Sequence, residues 1–383
     1  MSEPEIVTTR PKTSTRDRDE LHDRLVTWLA ERVRDPVVSE LVVPESNGMS
    51  SETLLFDASW KEHAESGGPG SLTTQRCAAR LSPDPAAAPV FPVYDLERQF
   101  NVMRLVAQRS TVPVPRTLWL ETDPRALGTS FFVMERVDGV VPPDVMPYPF
   151  GSWLSEARPE DQQRLQRGAV RVLADLHGAD VTAEDIAFLE LDRPGGTALR
   201  RHVADQAAYY EWVVSDGARS PLIERGFRWL EDHWPDDEGE TVISWGDSRI
   251  GNMIFRDFEP VAVLDWEMVA VGPREIDLGW MIFLHRFLDD IALQAGLPGM
   301  PDFMRFDDVA ATYEALSGHP PRHLEFYTLY AALRHAVVMS RVARRQILFG
   351  EIAMPDDPDD MVMHRSTMEQ MLAGSYWSSG WRP

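Results

Sequence analysis

The sequence predicts an α+β fold in two lobes, a small β-rich lobe over residues 1–137 and a larger, mainly helical lobe over residues 138–383. Three observations support this prediction. A chain of 383 residues is long enough to bury two cores. Strand-like runs concentrate in the first third of the chain, whereas helical periodicity dominates after Gly139.

The first lobe is predicted to alternate between strands and helices. Its first 17 residues are polar and mixed in charge, and the apolar residues that follow recur at helical spacing. Short apolar and β-branched runs bounded by Gly, Pro or small residues indicate strands. The predicted elements are a helix over 18–34, strands over 41–43, 53–56 and 73–81, a helix over 96–108, and strands over 117–121 and 130–137.

The second lobe is predicted to be helical with three short strands. Its long segments repeat apolar residues with a period near 3.6, as amphipathic helices do. The predicted helices cover 164–176, 199–214, 222–234, 303–316 and 324–348. The predicted strands cover 241–245, 253–255 and 261–265, and the sequence shows no internal repeat.

The charge balance restricts the partners of the protein. Asp and Glu number 61 against 38 Lys and Arg, so the formal net charge is −23. Nucleic acid and anionic membrane surfaces would be repelled, and neither is predicted as a partner. A cationic small molecule is compatible with this charge.

Several enzyme classes lack the residues that they need. Lys12 and Lys61 are the two lysines, and neither follows a glycine, so a P-loop of the Gly-Lys-Ser/Thr type is excluded. Cys77 is the single cysteine, which excludes an intramolecular disulfide and a cysteine-based zinc or iron–sulfur site. The sequence also lacks Gly-x-Ser-x-Gly, His-Glu-x-x-His and Gly-x-Gly-x-x-Gly.

No apolar signal core or membrane-length apolar run occurs in the sequence. The first 20 residues are polar, and no run approaches the roughly 20 apolar residues of a membrane span. The sequence therefore predicts a cytoplasmic, soluble protein.

The most informative residues lie between the three short strands of the second lobe. Asp247 precedes Asn252 by five positions, and Asp265 follows Asn252 by thirteen. Phosphoryl transfer needs one carboxylate to accept the proton of the acceptor hydroxyl, and an amide and a second carboxylate to hold Mg²⁺. Loops that leave adjacent strands can bring three such side chains together.

These residues and several flanking segments resemble the aminoglycoside phosphotransferase family. That family has a protein-kinase-like bilobal fold and is related to choline, homoserine and fructosamine kinases. The resemblance covers about residues 40–345 and is most specific in the catalytic loop. The segments that carry it are Trp245–Asn252, Val263–Glu267, Gly272–Trp280, Leu173–His177, Arg98–Phe100, Val112–Pro115 and Phe131–Val137.

The resemblance implies a role for each matched residue of the catalytic loop. Asp247 would be the catalytic base, and Asn252 and Asp265 would be the Mg²⁺ ligands. The family's cofactors would be ATP or GTP together with Mg²⁺. Asp277 is expected to anchor the catalytic loop rather than to contact substrate, and His177 is expected to be a hydrogen-bonded core histidine.

The resemblance also implies a nucleotide site in the first lobe. The backbone of Glu135 to Val137 would bond the edge of adenine. Residues 45–51 would form the loop that covers the phosphates, where Gly48, Ser50 and Ser51 permit close approach of the backbone. Small residues in such a loop can also serve simply to make a turn.

Three residues depart from the family pattern. Trp245 stands where the family's catalytic loop usually begins with His, and a change in packing is expected there. Arg80 stands near the place of the lysine that contacts the α- and β-phosphates, and it would be its substitute. Gln99 aligns with the glutamate that pairs with that lysine, while Glu97 is expected on another face of the helix.

The acceptor site is the least defined part of the sequence. Tyr209 and Trp212 lie on a helix that borders the acceptor pocket in the family, although aromatic residues on a helix more often pack in a core. Glu267 is expected either to contact a cationic or hydroxylated acceptor or to belong to a structural network. The sequence leaves both alternatives open.

Two classes of function are consistent with these residues. The first is a kinase that transfers the γ-phosphoryl group of ATP or GTP to a hydroxyl of a small molecule. Its acceptor would be an aminoglycoside or a choline-, sugar- or macrolide-like alcohol, because relatives with one fold use different acceptors. The second is a non-catalytic nucleotide-binding protein, which the departures at Arg80 and Gln99 make conceivable.

Overall fold

A computed structural model describes residues 16–44, 52–62, 71–144 and 147–376. Contacts divide the chain into two units, one formed by residues 1–101 with 115–136 and the other by residues 102–114 with 137–383. Both units mix strands and helices, so the predicted α+β class is confirmed.

The first unit is built on a five-stranded antiparallel sheet with strand order β1-β2-β3-β5-β4. In this sheet Arg80 lies opposite Thr53 on one neighbouring strand and opposite Phe132 on the other. Paired residues of antiparallel strands share a face, so these three side chains lie on the same side. The strands are β1 Arg34–Val38, β2 Glu52–Lys61, β3 Leu72–Leu81, β4 Thr117–Glu121 and β5 Phe131–Glu135.

Two helices accompany this sheet. Helix α1 (Arg18–Ala30) begins at Asp17, whose carboxylate accepts hydrogen bonds from the N–H groups of the first turn. Its apolar stripe, which includes Trp28, packs in one core with the side chains of alternate residues of β2 and β3. Helix α2 (Leu96–Arg109) has its first residues in this unit, and Phe100 contacts Phe132 with ring centroids 6.1 Å apart.

The structure corrects two sequence predictions at the start of the chain. Helix α1 ends at Ala30 instead of reaching residue 34, and strand β1 follows it. Arg34 already belongs to β1, where it lies opposite Lys61 of β2, so the helix ends before it. The predicted strand over 41–43 is reduced to a single bridge between Val42 and Leu55.

The second unit is mainly helical. Helices α7 and α9 are buried along most of their length, which explains why their apolar residues are not confined to one stripe. The helices are α3 Pro159–His177, α4 Ala183–Ile186, α5 Ala198–Val213, α6 Pro221–Asp232, α7 Glu275–Gln294, α8 Phe306–Ser317, α9 Leu324–Leu348 and α10 Arg365–Leu372. Across the described ranges, no helix has the length and apolar character to span a membrane.

Two small antiparallel ladders of the second unit hold the predicted catalytic segment. The strands are β6 Thr241–Ser244, β7 Met253–Arg256, β8 Glu259–Val263 and β9 Ala270–Pro273. β6 pairs with β9, and β7 pairs with β8. β9 was not predicted, because a four-residue run that ends in Gly-Pro has no strand signal of its own.

Residues 102–114 belong by their contacts to the second unit, whereas the sequence-based division at residue 137 assigned them to the first lobe. Their hydrogen bonds explain the difference. The Arg109 carbonyl accepts from the N–H of Asp180 at 3.0 Å, and the Pro113 carbonyl accepts from the N–H of Val263 at 2.7 Å. Such distant pairings leave no local sequence pattern.

Candidate functional site

The predicted catalytic loop, residues 245–252, connects β6 to β7 and passes close to the backbone of residue 268. Gly246 has φ = +89°, and a Cβ atom added there would lie 2.1 Å from the carbonyl oxygen of Met268. Only glycine fits both this conformation and this contact. The close approach brings the loop beside the segment that contains Asp265.

Asp247, the predicted base, is 9% exposed, and its carboxylate accepts three hydrogen bonds. Trp280 donates from Nε1 to Oδ1 at 2.7 Å. Asn252 donates from Nδ2 to Oδ2 at 2.7 Å, and Arg249 donates from Nε to the same oxygen at 3.2 Å. Donors on both oxygens fix the plane of the carboxylate.

The two predicted metal ligands flank the same end of the β7–β8 ladder, since Asn252 directly precedes β7 and Asp265 follows β8 by two residues. The Asn252 carbonyl accepts from the N–H of Leu264 at 2.9 Å, which places Asn252 opposite the residue before Asp265. The amide nitrogen of Asn252 faces Asp247, so its Oδ1 is the atom left to bind a metal. An amide oxygen and a carboxylate are hard ligands, and such a pair fits Mg²⁺ that is completed by water and phosphate.

Asp265 has φ = +58°, a left-handed conformation that Asp tolerates better than most residues. Strained backbone of this kind clusters at functional sites. The loop that follows is fixed by Trp266, whose Nε1 donates to the carbonyl of Val263 at 3.2 Å.

Asp277 anchors the backbone of the catalytic loop, as the sequence predicted. Its fully buried carboxylate accepts from the N–H groups of Trp245 at 2.8 Å and Gly246 at 2.9 Å. His177 contacts it through Nε2 at 3.1 Å and contacts Tyr313 through Nδ1 at 2.8 Å, so the prediction of a hydrogen-bonded core histidine is confirmed. Burial alone raises the pKa of Asp277, but the hydrogen bond and charge of His177 and the loop N–H groups lower it below its usual value.

We expect Asp277→Asn to lower the free energy of unfolding by about 2 kcal/mol, because an amide cannot accept all the bonds that this carboxylate accepts. The lowered pKa means that Asp277 stabilises the fold at pH values above 3.8, and that this contribution is lost as the pH falls through its folded-state pKa. Denaturant unfolding of wild type and variant at pH 7 and pH 3 checks both expectations. A stability difference that does not shrink at low pH would contradict the assignment.

Trp245 substitutes for histidine at the start of the loop and is fully buried. Its Nε1 donates to the carbonyls of Leu264 at 2.9 Å and Asp265 at 3.1 Å. The indole therefore ties the catalytic loop to the segment with the second predicted metal ligand.

Sequence reasoning missed the role of one residue of this loop, Arg249, and of two residues that contact the loop, Trp280 and Arg334. Arg249 pairs with Asp247 and also with Asp144, and Trp280 binds the predicted base directly. Arg334 donates to the Gly246 carbonyl at 3.2 Å. The sequence did contain one indication for Trp280. It follows Asp277 by one helical turn, so it lies on the same helix face as the residue that anchors the loop. Arg334 had no such indication.

A small cleft lies beside the catalytic loop, and the Asp144–Arg249 ion pair forms part of its wall. Most of its other lining is apolar: Tyr148, Ile250, Met281, Leu284, Leu288 and Met304. Burial raises the pKa of Tyr148 well above its usual value, so its hydroxyl stays neutral. Apolar side chains therefore make up most of the described lining of this cleft.

In the first unit, Arg80 and Gln99 lie on the same side of the sheet. Arg80 is half-buried on β3 and shares a face with Phe132, which packs against Phe100. The adjacent Gln99 is 2% exposed, whereas Glu97 is exposed, as the sequence predicted for a different helix face. The placement is compatible with the predicted roles, which stay predictions.

The rest of the predicted nucleotide site is only partly described. Gly48, Ser50 and Ser51 lie outside the described residues. The N–H of Glu135 donates to the carbonyl of Arg116 at 2.8 Å, so only its carbonyl could serve an adenine ring. Val137 is half-buried and follows the end of β5 by two residues. The adenine-binding role of this segment stays a prediction.

The predicted aromatic acceptor residues Tyr209 and Trp212 lie on α5. Tyr209 stacks on Trp212 with centroids 5.9 Å apart, and the Arg341 guanidinium lies 4.5 Å above the Trp212 ring. Arg341 follows Arg334 by two turns of α9, or about 10 Å. Glu267 is half-buried two positions after Asp265. The substrate roles of these residues stay predictions.

A sequence profile of the phosphotransferase enzyme family matches residues 83–306, more than half of the 383 residues. The chain belongs to this family. The resemblance to aminoglycoside phosphotransferases is therefore confirmed, and the matched range includes Asp247, Asn252 and Asp265. It begins after Arg80, the site of one of the departures from the pattern.

Solved phosphotransferase structures share the fold. A Ralstonia eutropha protein of proposed aminoglycoside phosphotransferase activity has a TM-score of 0.61 at 20% identity, and the alignment covers 93% of this chain and 98% of that one. A mutant of aminoglycoside phosphotransferase APH(4)-Ia in complex with ADP and hygromycin B has a TM-score of 0.52 at 16% identity, covering 93% and 99%. The predicted protein-kinase-like fold is confirmed.

Curated relatives of this chain are named as acyl-CoA dehydrogenases and not as phosphotransferases. Acyl-CoA dehydrogenase IBR3 of Arabidopsis thaliana is 26% identical over 66% of this chain and 31% of its own length. Acyl-CoA dehydrogenase family member 10 of Mus musculus is 26% identical over 72% of this chain and 25% of its own length. The chain thus spans about a quarter to a third of these relatives.

Proposed function

We propose that the protein is a Mg²⁺-dependent phosphotransferase that moves the γ-phosphoryl group of ATP or GTP to a hydroxyl of a small molecule. The observation that carries the proposal is the hydrogen bonding of Asn252. Its amide nitrogen binds the carboxylate of Asp247, while its backbone pairs with the residue before Asp265. These two contacts support a site in which Asp247 is the base and Asn252 and Asp265 are the metal ligands.

In the proposed reaction Asp247 accepts the proton of the acceptor hydroxyl. The acceptor oxygen forms a bond to the γ-phosphorus, and the bond from that phosphorus to the bridging oxygen breaks, so that the nucleoside diphosphate leaves. Asn252 and Asp265 would hold Mg²⁺, which when bound neutralises charge on the phosphate oxygens. Asp277 keeps the loop backbone in place throughout.

For the acceptor we propose an alcohol with an apolar part. Among the described residues that line the cleft beside Arg249, most are apolar, and the carboxylate of Asp144 is already paired with Arg249. An aminoglycoside would instead require unpaired carboxylates for its ammonium groups. Because curated relatives are named acyl-CoA dehydrogenase family members, hydroxylated acyl-CoA thioesters belong among the candidates, beside macrolide-, choline- and sugar-like alcohols.

An acceptor screen tests this function. Purified protein is mixed with Mg²⁺, ATP or GTP, and a panel of aminoglycosides, macrolides, choline, homoserine, sugars and hydroxyacyl-CoA thioesters, and release of nucleoside diphosphate is measured. We expect turnover with an apolar alcohol that stops on chelation of Mg²⁺. Nucleotide binding without turnover on any acceptor would favour a non-catalytic nucleotide-binding protein, and turnover that survives chelation would contradict the metal role.

We expect Arg80→Ala to weaken nucleotide affinity about tenfold or more, since a charge-assisted hydrogen bond contributes roughly 1.5–3 kcal/mol. Titration calorimetry with ATP and GTP measures this. Lys61→Ala is the matched control: Lys61 pairs with Asp35 at 2.8 Å and lies eight residues along β2 from Thr53, about 26 Å away. Unchanged affinity in Arg80→Ala would rule out Arg80 as the phosphate-binding residue.

A further inference from the structure

Helix α7 supports the predicted base as well as the loop backbone. Asp277 holds the backbone N–H groups of the loop, and its own carbonyl accepts from the hydroxyl of Ser248 at 2.7 Å. One turn later Trp280 donates from Nε1 to Oδ1 of Asp247 at 2.7 Å, and it is 3% exposed. A single helix face thus fixes both the main chain of the loop and the side chain of Asp247.

Arg334 of α9 packs against the indole ring of Trp280. Its guanidinium carbon lies 4.6 Å from the centroid of the Trp280 ring, and its Nη2 donates to the Gly246 carbonyl at 3.2 Å. The side chain is 1% exposed, and within the described ranges its Nε and Nη1 have no hydrogen-bond partner. Burying a cation with so few hydrogen bonds is costly for stability, and the charges of Asp277 and Asp247 favour its charged form.

We propose that Trp280 is a positioning residue for Asp247, and that Arg334 holds Trp280 and Gly246 in the geometry this requires. The inference rests on the proposed function, in which Asp247 receives the acceptor proton. Trp280 holds Oδ1 while Asn252 holds Oδ2, so the carboxylate cannot rotate. Misplacement of a catalytic group by about 1 Å can cost about a hundredfold in rate.

The first test is Trp280→Phe, which keeps an aromatic ring and removes the N–H donor. We expect kcat to fall about tenfold on an acceptor found in the screen, with the KM for nucleotide unchanged within about twofold. Trp234→Phe is the control, since Trp234 donates to Glu238 at the same 2.7 Å and lies under Arg200 at 3.4 Å. It should leave kcat unchanged.

A double-mutant cycle gives a readout that does not depend on turnover. In Asp247→Asn the new amide oxygen should face the donors of Asn252 and Arg249, which contact Oδ2 in wild type. Its NH₂ group then faces the N–H of Trp280, so two donors oppose each other. Adding Trp280→Phe removes this clash. We therefore expect Trp280→Phe to lower the melting temperature of wild type, and to lower that of Asp247→Asn less or not at all.

The outcomes separate the two proposals. If wild type turns over and Asp247→Asn does not, yet Trp280→Phe matches wild type and the cycle is additive, positioning by Trp280 is refuted and the function stands. If wild type and Asp247→Asn are equally active, the catalytic assignment itself fails. Should Trp280→Phe not fold, Arg334→Gln decides, because an unchanged kcat in that variant would overturn the network.

Discussion

Replacing Asp247 with asparagine is expected to lower phosphoryl transfer by about a hundredfold or more, the usual scale for loss of a general base. The variant keeps the size of the side chain but removes the group that accepts the acceptor proton. Because Asp247 acts on the acceptor and in the transition state, nucleotide affinity should stay within a few-fold of wild type. Diphosphate release and nucleotide titration measure the two quantities separately.

Asp175→Asn is the matched control for this variant. Asp175 lies on α3 in the same unit and accepts from the hydroxyl of Thr111 at 2.9 Å. It should retain wild-type turnover. An Asp247→Asn protein as active as wild type on a genuine acceptor would refute the role of Asp247 as the base.

Asp265→Ala is expected to abolish Mg²⁺-dependent turnover, a loss of about a thousandfold or more, because a metal ligand acts on the charge that develops during transfer. Mg²⁺ binding in the presence of nucleotide should weaken in parallel, which titration of Mg²⁺ at fixed ATP measures. The fold should survive, although alanine tolerates the left-handed backbone at φ = +58° less well than aspartate.

The chain offers a control for that backbone strain. Asp257 also has a left-handed conformation, with φ = +50°, and it lies exposed in the turn between β7 and β8. Asp257→Ala should therefore lose a similar amount of stability from backbone strain but keep full turnover. Retained Mg²⁺ dependence in Asp265→Ala, or an equal loss in Asp257→Ala, would contradict a metal role for Asp265.

In the second unit, the sequence predicted those features for which the candidate functional residues lie next to short strands. Asp247, Asn252 and Asp265 are recognisable because each lies close to the end of a short strand, and the hydrogen bond between Asn252 and Leu264 joins the two segments that carry Asn252 and Asp265. The anchor role of Asp277 also followed from its motif. The same reasoning failed for residues 41–43 and for β9, where short runs contain too few residues to show a period.

The sequence by itself determined the two-part α+β class, the family, and which carboxylates and amide are available for chemistry. Only the tertiary structure decided what surrounds them. Trp280 is 33 residues from Asp247, and Arg334 is 88 residues from Gly246. Periodicity shows that such side chains are buried, but it cannot show what they face, because a contact between distant segments depends on the path of the whole chain. The contacts that hold the predicted base therefore depend on how the helices pack, and no sequence motif encodes them.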